Sequence, residues 1–241
     1  MSTTVVLPGQ PLPSSAPALP APPSNKTLTL GPGLRHVPPS TVLPTIAGEL
    51  CTDTRKNAVW VESSSGRYLP HVGDLVIANV HHSSTDTYHC SLTPHTPFVL
   101  LAQLSFEGAT KKTRPQLGTG SLVYARVSKA EKWADVEIEC VNPATAKADG
   151  MGPLKGGMVF DVSLALARRL MMGRKGGVLV LDEVGEKVRF EVAVGRNGRV
   201  WVDSGSIRET VAIGKILREV DDKDPDVEAQ RKLVKKALRD L

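Results

Sequence analysis

Three cations within four positions, Lys111, Lys112 and Arg114, follow a Gly-Ala pair between two strand-like stretches. Lysine and arginine side chains on an exposed turn can bind the phosphates of a polyanion without reading its sequence. The surrounding segment, residues 104–132, has a net charge of +4 and contains further candidate cations at Arg126, Lys129 and Lys132. We take Lys111, Lys112 and Arg114 as the leading candidates for nucleic-acid contact, with a solvated basic loop as the alternative.

The stretch Gly-Arg-Asn-Gly-Arg-Val-Trp, residues 195–201, allows two interpretations. A G-x-x-G tetrapeptide beside arginines is the backbone clamp with which KH domains hold single-stranded RNA, where it lies between two helices. Here alternating β-branched stretches precede and follow it, and Asn197-Gly198 adopts positive φ at little cost. The flanks therefore favour a β-hairpin turn from Gly195 to Gly198, with Trp201 anchoring it in a domain interface.

The remaining histidines, cysteines and acidic residues do not form the pattern of a metal site or a catalytic site. His81, His82, His89, Cys90 and His95 crowd together, but their spacing matches no structural zinc site. An acidic group at residues 182–186 is expected in a turn, and the aspartates at residues 222–226 lack the glycine and glutamate of a calcium loop. The sequence therefore predicts no metal, no cofactor and no enzyme.

The charge distribution suits a polyanion partner, and it suits solvated charged faces equally well. The chain has 241 residues and a net charge of +5, concentrated in residues 104–132 and in residues 151–218, which carry +5. Three widely spaced cysteines indicate buried or free thiols in a reducing compartment. The chain has no basic residue before Lys26 and no long apolar run, so neither a signal peptide nor a membrane span is expected.

The pattern along the chain predicts a multidomain protein, mainly β and then α+β. Seven prolines between Pro8 and Pro23 predict a flexible proline-rich leader at 1–25, and short apolar pieces predict a small β domain at 26–69. Five strand-like stretches at 70–148 predict a five-stranded OB-type barrel, a fold that binds oligonucleotides. Residues 149–241 predict an α+β domain with a C-terminal helix.

Within this last domain, the stretch Gly-Gly-Val-Leu-Val-Leu-Asp-Glu-Val-Gly, residues 176–185, is predicted to be a strand. Ser206 and Glu209 have the spacing of a capping box that opens a helix. Asp224, followed by proline, is predicted to cap the final helix. Arg168, Arg169, Arg174 and Lys175 cluster at a helix end, where cations also suit the helix dipole.

Five strings together resemble the ribosomal RNA-processing protein 40 family of non-catalytic RNA exosome cap subunits. They are LSFEGATKKTRP (104–115), GPGLRH (31–36), RYLPHVGD (67–74), DGMGPL (149–154) and VGRNGRVWV (194–202). The resemblance runs from Gly31 to about Val220 and implies a small β domain, an S1-type OB domain and a KH domain, in that order.

The resemblance also implies a role. The protein would stabilise a ring of RNase PH-like exosome subunits beside other cap subunits, and would guide single-stranded RNA into the channel for 3′-to-5′ processing and degradation, including ribosomal RNA maturation. It would work in the nucleus and nucleolus, and also in the cytoplasm. No membrane partner is implied. The G-x-N-G pattern, with Gly195, Asn197, Gly198 and Trp201, is a mark of this family. The alternative is a free-standing single-stranded RNA-binding regulator that uses OB and KH modules.

The predicted barrel has few aromatic residues on which RNA bases could stack. RNA readers with OB barrels place aromatic rings on the second and third strands, where this chain offers Tyr88, His89 and Phe98. Phe98 begins an apolar run and is expected in the core. We therefore expect weak RNA affinity for the isolated protein.

Overall fold

The computed structural model of the protein describes residues 4–12, 27–39, 41–53, 57–63, 66–94 and 96–239. The chain divides into two compact units, Met1–Gly66 and Arg67–Leu241. Over the described ranges, no helix combines the length and the apolar character that crossing a bilayer requires.

The first unit is made of short strands. They are β1 (Val5–Val6), β2 (Thr29–Leu30), β3 (Leu34–Val37), β4 (Thr41–Pro44), β5 (Gly48–Asp53) and β6 (Ala58–Glu62). Four of them form one sheet in the order β1-β5-β6-β2, and β3 pairs with β4 in a hairpin. Val6, Leu50, Val59 and Val61 form a small core. Gly48 lies so close to β6 that a Cβ atom would stand 2.1 Å from the Glu62 carbonyl oxygen.

The predicted leader differs from the structure at its start. Val5 and Val6 pair with Glu49 and Gly48, so β1 is part of the sheet. The segment before Pro8 contains no proline and can therefore donate the backbone hydrogen bonds that a strand needs. Residues 13–26, which contain most of the leader's prolines, lie outside the described residues, and that part of the prediction stays a prediction.

The second unit begins with a closed five-stranded barrel, as predicted. Its strands are β7 (Leu75–Ser83), β8 (Thr87–Ser91), β9 (Val99–Ala102), β10 (Leu122–Lys129) and β11 (Glu137–Glu139). Neighbours pair in the order β11-β9-β8-β7-β10, and the β10–β11 pairing closes the circle. β9 and β11 run parallel and the other pairs run antiparallel. The inward side chains, including Val76, Val80, Leu101 and Val123, fill the barrel.

A sixth strand extends the barrel sheet. β12 (Gly152–Leu154) pairs antiparallel with β10 at Leu122–Tyr124. The sequence assigned this stretch to the third domain, because its glycines indicated a joint. The backbone of residues 152–154 instead completes the hydrogen bonding of β10. The predicted domain limits at 25, 69 and 148 stay predictions.

The last part of the chain is an α+β domain, as predicted. Its elements are β13 (Met158–Asp161), α1 (Leu164–Met171), a 3-10 turn (Gly173–Gly176), α2 (Val180–Gly185), β14 (Phe190–Gly195), β15 (Arg199–Ser204), α3 (Ile207–Lys223) and α4 (Val227–Ala237). The three strands form an antiparallel sheet in the order β13-β15-β14. Phe160, Val200 and Val202 of the sheet share a core with Ile213 and Leu217 of α3.

Three local predictions in this domain were wrong. Residues 180–185 form α2 rather than a strand, because Val180 and Val184 stand one helical turn apart and are both buried in the core. Ser206 precedes α3 but its side chain makes no capping bond. Asp226 rather than Asp224 caps α4, accepting a hydrogen bond from the Ala229 amide, while Asp224 ends α3 in a left-handed conformation.

The predicted free thiols are present. Cys51, Cys90 and Cys140 are free thiols. Cys90 and Cys140 lie in the barrel core, and burial raises the pKa of each thiol to about 12. Both therefore stay protonated at neutral pH and act as small apolar side chains.

Candidate nucleic-acid interface

The loop between β9 and β10 carries the leading candidates. Lys111 and Lys112 are exposed in a turn, and Arg114 is half-buried at its end. The amides of Thr113 and Arg114 both donate to the Thr110 carbonyl oxygen, at 3.1 and 2.9 Å. The hydroxyls of Thr110 and Thr113 are 2.8 Å apart. The turn is thus held by its own backbone and threonines, which leaves both lysine side chains available to a ligand.

Buried side chains of the barrel fix the ends of this loop. The Tyr88 hydroxyl donates to the Pro115 carbonyl oxygen at 2.8 Å and accepts from the Leu117 amide at 3.3 Å. At the other end, the Gln103 side chain donates to Ser84 O at 2.9 Å. Tyr88, which the sequence offered as a stacking residue, is instead a buried anchor of the basic loop.

Arg126 and Lys129 lie on β10 and face carboxylates of β11. Arg126 Nη2 is 2.7 Å from Glu139 Oε1, and its side chain is only 22 % exposed. Lys129 Nζ is 3.9 Å from Glu137 Oε1. Both are directly opposite these partners in the strand register. Cross-strand ion pairs are a structural reason for these two cations. Their predicted contact with RNA therefore stays a prediction.

A cluster of rings covers one face of the barrel. His82 stacks on His89 with a centroid distance of 4.2 Å and an interplanar angle of 10°. His81 lies 4.7 Å from the Phe98 ring. Phe98 is 40 % exposed, so its predicted place in the core was wrong. It precedes β9, whose buried alternation begins at Val99.

A register irregularity produces this cluster. The pairing of β7 with β8 shifts between Val80 and His82, after which the consecutive His81 and His82 are both exposed. The regular alternation that the sequence suggested would have turned one of them inward. The histidine group that the sequence considered for zinc is thus a ring surface. Among the described residues, no three His, Cys, Asp or Glu side chains are placed to hold a metal ion, and His95 lies outside them.

The imidazole of His82 is expected to titrate below the usual range of histidine. Desolvation lowers its pKa first, followed by the charges of His89 and His81. As the pH falls, the unfolded chain binds this proton before the folded protein does. The free energy of unfolding therefore decreases towards acid pH and is unaffected by this group above neutral pH. We predict that His89→Gln raises the pKa of His82 in a proton–carbon NMR titration, whereas His71→Gln, a change in the same unit at a histidine outside the ring cluster, leaves it unchanged. An unchanged pKa in His89→Gln would show that the stacked pair is not coupled.

Lys132 and Trp133 occupy the loop between β10 and β11. Trp133 is 87 % exposed, the largest exposed apolar surface among the described side chains. Trp133 was not among the predicted contact residues, although a cation beside an exposed aromatic ring can combine phosphate contact with base stacking.

The Gly195–Gly198 turn joins β14 to β15, and the predicted hairpin is present. Asn197 is 3 % exposed and its carboxamide binds the barrel. Its Oδ1 accepts from the Ile77 amide at 3.2 Å, and its Nδ2 donates to the carbonyl oxygens of Ile77 and Leu92 at 2.9 and 2.7 Å. The side chain thereby pairs with both backbone groups of Ile77, as a neighbouring strand would.

The glycines of this turn make that contact sterically possible. A Cβ atom on Gly195 would stand 2.3 Å from Asn197 Oδ1 and 2.8 Å from the Ile77 nitrogen. Gly198 has a φ of +75°, and a Cβ there would lie 2.6 Å from the Val162 carbonyl oxygen. Gly195, Asn197 and Gly198 are therefore buried between the barrel and the last domain, and of the four turn residues only Arg196 is exposed.

Further contacts complete this junction. Arg196 Nε is 3.3 Å from Asp74 Oδ1, and the Tyr68 hydroxyl donates to Asp74 Oδ2 at 2.9 Å. Burial, and then the Asp74 carboxylate, raises the pKa of Tyr68. Trp201 is buried against Ile77 and donates its indole N–H to the Gly156 carbonyl oxygen at 3.0 Å. It thus lies in the interface for which the sequence predicted it.

A second G-x-x-G tetrapeptide lies where a KH clamp belongs. Gly173-Arg174-Lys175-Gly176 forms the 3-10 turn between α1 and α2. Gly173 has a φ of +58°, and a Cβ on Gly176 would stand 2.1 Å from the Arg169 carbonyl oxygen. Arg169 Nε also donates to Gly176 O at 3.0 Å. The sequence pattern did not indicate this motif, because the strand that it predicted at residues 176–185 leaves no second helix beside the turn.

The fold and this interface define a class: proteins that place a KH domain against an S1-type OB barrel. Three family models match the chain. "Exosome complex exonuclease Rrp40 N-terminal domain" matches residues 28–67, "Exosome complex component RRP40, S1 domain" matches residues 68–152, and "KH domain" matches residues 157–208.

Curated relatives cover most of the chain. Exosome complex component RRP40 of Saccharomyces cerevisiae is 35% identical over 88% of this chain and 89% of its own length. The Schizosaccharomyces pombe protein of the same name is 38% identical over 80% of both chains, and the Homo sapiens protein is 34% identical over 80% of this chain and 70% of its own. The chain belongs to the RRP40 family of exosome complex components, as its sequence motifs indicated.

A solved structure shows the same fold. A protein described as an exosome complex RNA-binding protein matches with a TM-score of 0.58 over 72% of this chain and 97% of its own, at 19% identity. At that identity the likeness concerns the fold alone.

Proposed function

We propose that this chain is a non-catalytic, RNA-binding cap subunit of the RNA exosome. It stabilises the ring of RNase PH-like subunits next to other cap subunits and guides single-stranded RNA towards 3′-to-5′ processing and degradation. The observation that carries the proposal is the family membership over nearly the whole chain. The buried G-R-N-G junction supports it, because it holds the barrel and the KH domain in one fixed arrangement.

The proposed path of RNA uses several weak contacts rather than one deep site. The exposed lysines of the β9–β10 loop bind phosphates, and the ring cluster of His82, His89 and Phe98 offers faces on which bases stack. The turn at Gly173–Gly176 offers backbone groups to the sugar-phosphate chain. Such contacts bind RNA without reading its sequence, which suits a subunit that handles many RNAs.

Affinity purification of the tagged full chain, followed by mass spectrometry, tests the assembly. We expect a stable complex with RNase PH-like proteins and other S1- and KH-containing subunits. Their absence from a purification that retains the tagged chain would refute the proposal.

The purified chain alone is expected to leave RNA uncleaved with or without magnesium. Cleavage that is lost in a Glu183→Gln variant would contradict the non-catalytic role.

The location follows from the proposed role in ribosomal RNA maturation. We propose that the protein resides in the nucleus and nucleolus, and also in the cytoplasm. Fluorescence microscopy of the tagged full chain tests this, and exclusion from the nucleus would contradict it.

Reversing the charge of the second G-x-x-G turn is expected to weaken RNA binding. In Arg174→Asp/Lys175→Asp the two glycines are kept, so the backbone turn remains, but phosphates are repelled. We expect an affinity loss of about tenfold for single-stranded RNA with little change in melting temperature. Lys187→Asp/Arg189→Asp, in the segment between α2 and β14, is the control. Equal losses in both variants would show that only the domain's total charge matters.

A further inference from the structure

The helices α3 and α4 enclose a groove that the proposed RNA path does not use. Its volume is about 770 Å³. Residues of α3 at helical spacing form one wall, and residues of α4 at the same spacing form the other. The apolar part of the lining includes Ile207, Val211, Ala212, Ile216, Leu233 and Ala237.

Cations stand on both walls of this groove. Arg208 and Lys215 lie on α3, Lys232 and Lys236 lie on α4, and all four are exposed. The lining contains one carboxylate, Glu219, whose Oε1 is 2.6 Å from Lys223 Nζ. In the part of the chain that the structure describes, none of the four exposed cations lies within 4 Å of a carboxylate. The groove therefore presents an apolar floor between two positively charged rims.

The end of the groove is unusually apolar for a protein surface. Ile207, the first residue of α3, is 79 % exposed. A large aliphatic side chain at the mouth of an apolar groove marks a surface that gains free energy when a partner covers it.

We propose that this groove binds an acidic amphipathic helix of another protein. A helix with one leucine-rich face would bury that face on Val211 and Leu233, and glutamates on its flanks would meet the cations of both rims. A nucleic acid fits less well, because the lining offers no aromatic ring for stacking. A second copy of this chain meeting through the same face would place like charges against each other.

Fluorescence anisotropy of the purified full chain tests the proposal. The probe is a labelled helical peptide of about 18 residues with leucines on one face and glutamates on both flanks. A scrambled peptide of the same composition reports binding by charge alone. We expect saturable binding that weakens at higher salt, and an affinity for the scrambled peptide that is lower by at least about tenfold.

Matched charge reversals locate the site. Lys215→Glu/Lys232→Glu changes both rims and is expected to weaken binding by at least about tenfold. Arg218→Glu/Lys235→Glu changes the same helices and the same total charge on exposed residues outside the groove, and is expected to stay within about twofold. Ile207→Ser removes the apolar contact alone and is expected to cost about fivefold. All these side chains are exposed, so the melting temperature should stay unchanged.

Several results would overturn the proposal. One is the absence of saturable peptide binding, and another is equal affinity for the scrambled peptide. A third is an equal loss in both charge-reversal pairs. A single-stranded oligouridine that binds more tightly than the peptide, and loses that affinity in Lys215→Glu/Lys232→Glu, would assign the groove to nucleic acid instead.

Discussion

Asn197→Leu is expected to lower the free energy of unfolding of the second unit by about 4 kcal/mol. Leucine fills a similar volume but can neither donate nor accept, so the amide and carbonyl of Ile77 and the carbonyl of Leu92 lose the partners they have now. Each buried backbone group left unpaired costs about 1–3 kcal/mol. For a unit of this size, such a loss lowers the melting temperature by about 10 °C.

Thermal unfolding followed by circular dichroism measures this effect. Asn79→Ala is the matched control, because Asn79 lies on the same strand and its side chain forms no hydrogen bond within the described residues. We expect that control to change stability by less than about 1 kcal/mol. A loss in Asn197→Leu as small as that of the control would mean that the carboxamide contacts with β7 contribute little to the junction.

The same variant separates architecture from RNA contact. If the G-R-N-G turn gripped RNA directly, Asn197→Leu would weaken RNA binding at temperatures where the protein is folded. We expect instead that stability falls and that assembly with partner subunits weakens, because the orientation of the KH domain against the barrel is lost. Chemical denaturation and RNA titration of one preparation distinguish these outcomes.

Lys111→Glu/Lys112→Glu is expected to reduce the affinity for single-stranded RNA by about thirtyfold. The two lysines are exposed on a turn whose backbone is fixed by Thr110, Thr113 and Tyr88, so charge reversal changes the electrostatics and leaves the fold intact. The dependence of binding on salt should also become shallower, because fewer counterions are released.

Anisotropy titrations with a single-stranded RNA at several salt concentrations measure both quantities. The control is Lys147→Glu/Lys155→Glu, which makes the same charge change at exposed positions near the barrel. We expect that control to lose no more than about threefold. Equal losses in the two variants would show that the net charge of the chain, rather than the β9–β10 loop, governs RNA binding.

The amino-acid sequence was sufficient for the parts of this protein whose information is local. Alternating apolar residues predicted the five barrel strands, since inward side chains must recur at every second position. Asn197-Gly198 between β-branched stretches predicted the hairpin, because this pair reaches positive φ cheaply. The long motifs around Gly31, Lys111 and Gly195 indicated the family, because each is a long and specific string of residues.

The features that depend on distant residues were settled by the tertiary fold. Val180 and Val184 have a high strand propensity, but both are buried in the core from one face of a helix. Because α2 is a helix, the Gly173–Gly176 turn lies between two helices, at the position of a KH clamp. The outward turn of His81 and His82 depends on a register shift against β8. Asn197 binds Ile77 across 120 positions of sequence. No local pattern predicts this contact, because the partners are backbone groups, which are the same whatever the residue type.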